Sequence, residues 1–252
     1  MPIRRIVEHV RIQNWAAIVL DLIVVVVGIF LAFQVDRWYD NRKLLADVGG
    51  NLTALANEFS ENRDLLEQAY EVHNRAAKSV GEIIAYEANG GDDLSQDDFY
   101  EMLRHAYRST TFFPIRRTYD SLTSTGELEV LSDEDLKTEI AKFYSLVDRL
   151  EAYQQRLNLN RNLVLEPYFA RKLDHAALMM ATHPEAEQLK PSRPIGQFRD
   201  VLGNEEFEGL LVAKWHISHD LAVQYSLALD HIDMIQTLIA KNLGESPAAV
   251  EE

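Results

Sequence analysis

Hydrophobic residues crowd one stretch of the chain without any polar period. From Ala16 to Val35 it reads AAIVLDLIVVVVGIFLAFQV, interrupted only by Asp21 and Gln34. Twenty residues of helix cover about 30 Å, the thickness of a bilayer's hydrocarbon core. Trp15 stands at one end, and Trp38 with Tyr39 at the other, where membrane-interface anchors belong. The pattern predicts a transmembrane helix over 15–38. A cleavable signal peptide has a shorter apolar run, about 7–15 residues, and a small-residue exit. The exit here, FLAFQVDRW, has no such site, so the segment reads as a retained single-pass anchor. Ahead of it, Ile3, Ile6, Val7 and Val10 share one helical face, while Arg4, Arg5, Glu8, His9 and Arg11 take the other. Residues 1–14 therefore read as a short basic amphipathic segment suited to the headgroup layer.

Beyond Trp38 the period becomes helical. Leu44, Leu45, Val48, Leu52, Leu55, Ala56, Phe59, Leu65, Leu66 and Ala69 recur at threes and fours, and the helix is expected to run to about Ala88, with a bend at Gly49-Gly50. Asn89-Gly90-Gly91 is its stop. A second helix opens at Ser95 with Phe99, Met102, Leu103 and Tyr107 on its apolar face, and a short one covers about 116–124 and ends at Gly126. Ser132 is the expected cap of a long helix carrying Leu136, Ile140, Phe143, Tyr144, Val147, Leu150 and Tyr153. That helix is expected to continue towards Met180 with a kink at Pro167. Pro184, Pro191, Pro194 and Gly196 mark a crossing loop. Asn204 caps a last helix whose stripe runs from Phe207 to Ile239 and which ends at Gly244. No convincing strand alternation appears, and ELEVL at 127–131 is too short to alter the class. The expected architecture is all-α: an N-terminal single transmembrane helix continuing into an extramembrane antiparallel helical bundle over 39–244, with a polar tail at 245–252.

Charge sharpens this picture. The 252 residues hold 25 Lys and Arg against 40 Asp and Glu, a net of -15. Residues 44–252 hold 19 basic and 36 acidic residues, a net of -17. So acidic a surface is a poor partner for nucleic acid or anionic headgroups. There is no cysteine, which excludes disulfides, thiolate metal sites and a Cys nucleophile. Positive residues flank the apolar run equally, with Arg4, Arg5 and Arg11 before it and Arg37, Arg42 and Lys43 after it. A short basic tail is hard to export, so the N-terminus is expected in the cytoplasm and the body of the protein across the inner membrane, in the periplasm.

Asp21 is the residue with most to say. An aspartate inside the apolar slab costs about 2.5–3.5 kcal/mol on insertion scales and faces protein or water in preference to lipid. At 100° per residue, Ala17, Val24, Val25, Gly28, Ala32 and Val35 fall within about 60° of it. Gly28 and Ala32 form a small-x-x-x-small pair that lets two backbones approach. The predicted transmembrane interface is Ala17, Asp21, Val24, Val25, Gly28 and Ala32, against a second copy or another membrane protein. Elsewhere, His216, His219 and Asp220 are weak candidates for a metal, lacking a further ligand at a known spacing. Asp230, His231 and Asp233 carry the same discount. Arg116-Arg117 beside Phe112, Phe113 and Tyr119 reads as core aromatics with surface-paired arginines, the alternative being a local binding patch. No Glu-x-x-His motif, phosphate-cradling glycine loop or nucleophile elbow occurs. No cofactor and no enzymatic activity are expected.

Two stretches resemble an uncharacterised family of bacterial single-pass membrane-anchored helical proteins. One is DLIVVVVGIFLAFQVDRWYDNRK at 21–43, where the family usually has Glu in place of Asp21. The other is RTYDSLTSTGELEVLSDEDLKTEIAKFY at 117–144. The resemblance implies an anchor and a helical extramembrane domain, and no established activity. A looser likeness is to single-pass subunits of flagellar stators and energiser complexes, in which an Asp in the first half of one span carries protons. It matches Asp21 by position only, and implies the alternative function of a proton-motive-force-coupled subunit.

Overall fold

The computed structural model describes residues 15–89, 94–183 and 197–244, with side chains in the first part of the first helix described at 22–32, 34 and from 48 onward. The basic segment 1–14, Gly90-Gly91, the crossing loop 184–196 and the tail 245–252 lie outside the described residues. Every regular element among the described residues is helical: α1 (Trp15–Ala88), α2 (Gln96–Tyr107), α3 (Arg117–Thr125), α4 (Glu127–Val130), α5 (Glu134–Asn160), a π-turn (Arg161–Leu165), α6 (Glu166–Lys172), α7 (His175–Thr182), a 3-10 turn (Phe198–Asp200) and α8 (Glu205–Leu243). The chain divides into two compact units, Met1–Asn51 and Leu52–Glu252, each described by itself.

In the first unit α1 is helical through Gly49 and Gly50. All of 22–32 is exposed, Leu22 at 62 %, Val24 at 63 % and Phe30 at 59 % among them. Among the described residues no helix is long and apolar enough to cross a membrane. The side chains described there cover 22–32, eleven residues, which is about 16 Å of helix; the apolar run of 16–35 extends past them on both sides.

The second unit is built on a strict alternation of threes and fours. In α1, Leu52, Leu55, Phe59, Leu66, Ala69, Ala76, Val80 and Ile83 are buried; in α5, Leu136, Ile140, Phe143, Val147, Leu150 and Leu157; in α8, Phe207, Leu211, Leu221, Tyr225, Ala228, Ile232, Ile235 and Ile239. A repeat of about 3.5 residues keeps one seam of each helix facing its neighbours along its whole length. Each large apolar side chain so buried contributes about 1.5–3 kcal/mol. Phe59 meets Phe143 edge-on at 5.3 Å.

Direction is read from the pairs. Arg63 bonds Asp233 while His73 lies by Tyr225, so α8 runs against α1. Asp133 meets Asn242 while Glu139 meets His231, so α8 also runs against α5. α1 and α5 are therefore parallel to one another, which corrects the expectation of a wholly antiparallel bundle. The chain reaches this arrangement by doubling back: α2 packs beside Val80 and Ile83 at one end of the core, and residues 108–116 then return beside α1 in extended form. A second apolar cluster, with Phe99, Leu103, Tyr168, Phe169, Leu178 and Phe207, closes that end.

Two local expectations are corrected, the cap of α5 and the reach of its helix towards Met180. The cap of α5 is Asp133, not Ser132: its carboxylate accepts from Leu136 N–H at 3.0 Å. At Pro167 the helical course is continuous from Glu134 to Lys172 but leaves the α ladder. The turn before the proline widens to a π-turn, with Glu166 N–H bonded to the Arg161 carbonyl, and the wider turn falls where a proline ring would strike the carbonyl four residues back. The helix then stops at Leu173, and α7 restarts with Asp174 capping Ala177 N–H. ELEV is a helical turn, entered through Gly126 at φ +76°, a left-handed conformation that favours glycine. The caps at Ser95, Asn204 and Gly244 stand where the pattern placed them.

Candidate functional site

An extended segment inside a helical bundle has no ladder to satisfy its backbone, so its N–H and C=O groups need other partners. Residues 108–116 are such a strap, and the partners come from polar residues set into the helix seams. Lys214 Nζ donates to the Arg108 carbonyl at 3.2 Å. His73 Nε2 lies 2.8 Å from the Thr110 carbonyl. Gln154 Nε2 donates to the Phe112 carbonyl at 3.1 Å. Asn62 grips Ile115 twice, donating to its carbonyl and accepting from its N–H, both at 2.8 Å. Where the strap turns into α3, the Glu58 carboxylate accepts from Thr118 N–H at 2.5 Å and Tyr119 N–H at 3.1 Å, an anion at the positive end of a helix. Tyr144 O–H also donates to Glu58, at 3.2 Å.

All six side chains are buried, and burial sets the protonation of His73 and Lys214. The Thr110 carbonyl can only accept, so the facing Nε2 of His73 carries the proton. Nδ1 has no partner, and desolvation lowers the ring's pKa to about 4, which leaves it neutral. Burial, with Arg161 nearby, lowers the Lys214 ammonium to about 7. A lysine so placed has the basicity of a proton-transfer group, but at 3 % exposure it meets no dissolved substrate. The cluster holds the strap in place.

Over the strap's outer side, a groove of about 390 Å³ runs between Phe113, Pro114, Arg116, Asp148 and Glu151. Phe112 is buried and Phe113 is 75 % exposed. Arg116 lies over Tyr144 at 4.8 Å and pairs with Asp120 and Asp148; Arg117 pairs with Glu61. The sequence reading of core aromatics and surface-paired arginines thus holds for Phe112 and the two arginines, while Tyr119 is half-buried and Phe113 is exposed.

The predicted histidines and acids of α8 are not gathered into a site. His216 pairs with Asp220 at 3.5 Å, while His219 stacks on Trp215 at 4.9 Å. His231 bonds Glu139, and Asp233 bonds Arg63. Among the described residues no group of three or more His, Asp or Glu is arranged to hold a metal ion. On α1, Val24, Val25 and Ala32 are exposed, and a Cβ added at Gly28 would meet nothing within 4 Å. The side chains of Ala17, Asp21, Trp15, Trp38 and Tyr39 lie outside the described residues.

Sequence reading missed the strap's clasp, although its signal was present. Asn62 and His73 occupy the same three-four register as Leu55, Phe59, Leu66 and Ala69. Gln154 continues Val147 and Leu150, and Lys214 falls between Leu211 and Leu221. A polar residue on an apolar seam has to find a partner there. No family model, curated protein or solved structure matches the chain.

Proposed function

We propose that the chain is a membrane-anchored helical interaction protein that associates with itself or with another membrane protein through the Asp21 face of its N-terminal helix. The observation that carries the reading is the exposure of Leu22 to Ala32 on every side of α1. A helix of a water-soluble protein keeps a polar face, and uninterrupted apolar exposure marks a surface meant for lipid or protein. The sequence extends that surface to 16–35, long enough to span, with aromatic residues at both ends. Asp21, Gly28 and Ala32 then lie on one stripe inside the slab, where a carboxylate is stabilised by a protein partner and small residues permit close approach. On this reading the N-terminus lies in the cytoplasm and the helical unit in the periplasm.

Co-purification from native membrane in mild detergent tests the association. Gly28→Leu and Asp21→Leu are expected to deplete the partner or the oligomer, while Asp21→Asn, which still hydrogen-bonds, retains it. Assembly unchanged in both leucine variants discards the interface.

A further inference from the structure

Cations gather at one place on an acidic molecule. Residues 44–252 carry a net charge of -17, yet a pocket of about 190 Å³ between α1 and the end of α2 is lined by Arg75, His105 and Arg108, with Val72 and one carboxylate, Glu71. Glu71 and Arg75 stand in the i, i+4 order that favours an ion pair, but among the described residues the guanidinium groups of Arg75 and Arg108 form neither an ion pair nor a hydrogen bond. Arg104, four residues before Arg108, is by contrast tied to Glu101 at 2.9 Å. Cations four apart repel each other at the end of α2. Neighbouring groups feel the same field. Desolvation, then Arg104 and Arg75, hold His105 below its ordinary pKa against the opposing pull of Glu101. The Lys214 ammonium, which donates to the Arg108 carbonyl, is lowered by burial and then by Arg161. Two uncompensated guanidinium forks facing one recess suit an oxyanion.

We propose that this pocket binds the phosphoryl group of a small dissolved phosphate monoester, held between the guanidinium groups of Arg75 and Arg108 with His105 as a wall. A carboxylate has two oxygens and fills one fork. A phosphate monoester has three terminal oxygens and close to two charges, enough for two forks that arrive from different elements. The pocket takes a phosphoryl group but is smaller than the about 300–1,000 Å³ of sites that enclose a whole ligand, so the rest of the molecule lies outside it. The carboxylates elsewhere on the chain repel polyanions and anionic bilayers, which leaves a small dissolved ester. Bound there, the ester bridges α1 to the first residue of the strap, beside the bonds that Asn62 and His73 already make to it. The site lies wholly within the unit of 52–252, and the proposal does not rest on the membrane anchor.

Calorimetric titration of the full chain in detergent with glycerol 3-phosphate, at fixed ionic strength, tests the site. Saturable binding is expected, with glycerol and acetate each at least tenfold weaker. Arg75→Gln and Arg108→Gln are each expected to weaken binding at least tenfold. Both side chains are exposed, and the Arg108 carbonyl that takes Lys214 is kept, so both variants retain the parent's thermal midpoint. Glu71→Gln removes the opposing charge and is expected to tighten binding several-fold, a gain that misfolding cannot produce. No binding by the parent, or equal affinity in the parent and both arginine variants, overturns the site. Acetate bound as tightly as glycerol 3-phosphate overturns the assignment to phosphate. Short-chain phosphatidic acid bound more than tenfold tighter overturns the dissolved ester and assigns the pocket to a lipid headgroup.

Discussion

Asn62 and Lys214 both sit on apolar seams and both bond the strap, but they carry different costs. The Asn62 amide matches a backbone donor and acceptor at once. Asn62→Leu removes both bonds and leaves the N–H and C=O of the half-buried Ile115 without these partners, at up to about 1–3 kcal/mol for each orphaned group. A fall in thermal midpoint of several degrees is expected; an unchanged midpoint means that the strap does not depend on the clasp. Lys214 provides one bond and carries a desolvated charge. Its folded pKa, lowered to about 7 from an ordinary 10.5, means that between those values the unfolded chain holds a proton that the folded chain does not. Stability therefore rises with pH across that window, and the penalty is complete below about pH 7. His73 acts in the same sense between about 4 and 6.5. Lys214→Met keeps the stem and removes the charge. Melting curves at pH 6, 8 and 10 are expected to lose part of their pH slope in this variant, with pH 6 stability no lower than in the parent. An identical slope assigns the dependence to other groups.

At the scale of the element, capping decides boundaries that periodicity leaves open. Ser132 and Asp133 are equally plausible caps by residue type, and the backbone turns at Asp133, whose other carboxylate oxygen also takes Asn242 Nδ2. Asp133→Ala is expected to cost about 0.5–2 kcal/mol and Ser132→Ala close to nothing, read from the two thermal midpoints; equal effects contradict the assignment. Helix content and the ends of α1, α2, α3 and α8 were legible because apolar spacing, Ser95, Asn204, Gly126 and Gly244 all agree locally. The π-turn before Pro167 was not legible, since a proline specifies a defect in the hydrogen-bond ladder without specifying its form. Nor was the parallel course of α1 and α5. It depends on a strap whose bonds are long-range, Asn62 to Ile115 and Lys214 to Arg108, and no local period records them. Only the polar residues on the seams pointed to it.

At the scale of the molecule, the two units place apolar residues in opposite ways. The bundle of 52–244 buries its apolar seams and keeps an acidic exterior, whereas the exposed helix of 22–32 hides nothing. The first is the behaviour of a domain in water; the second supports an anchor in lipid or a buried association. Within the proposed anchor, Asp21→Asn separates packing from proton transfer, because asparagine hydrogen-bonds and cannot ionise. Retained assembly with retained activity supports packing, and retained assembly with lost activity supports the proton-coupled alternative. The most direct test of the account is alkaline carbonate extraction of membranes carrying the full chain, beside a variant with Val25, Val26 and Ile29 each changed to Asp. The account predicts that the unaltered chain stays in the membrane pellet and that the triple variant is released. Release of the unaltered chain into the supernatant, with its apolar run intact, contradicts it.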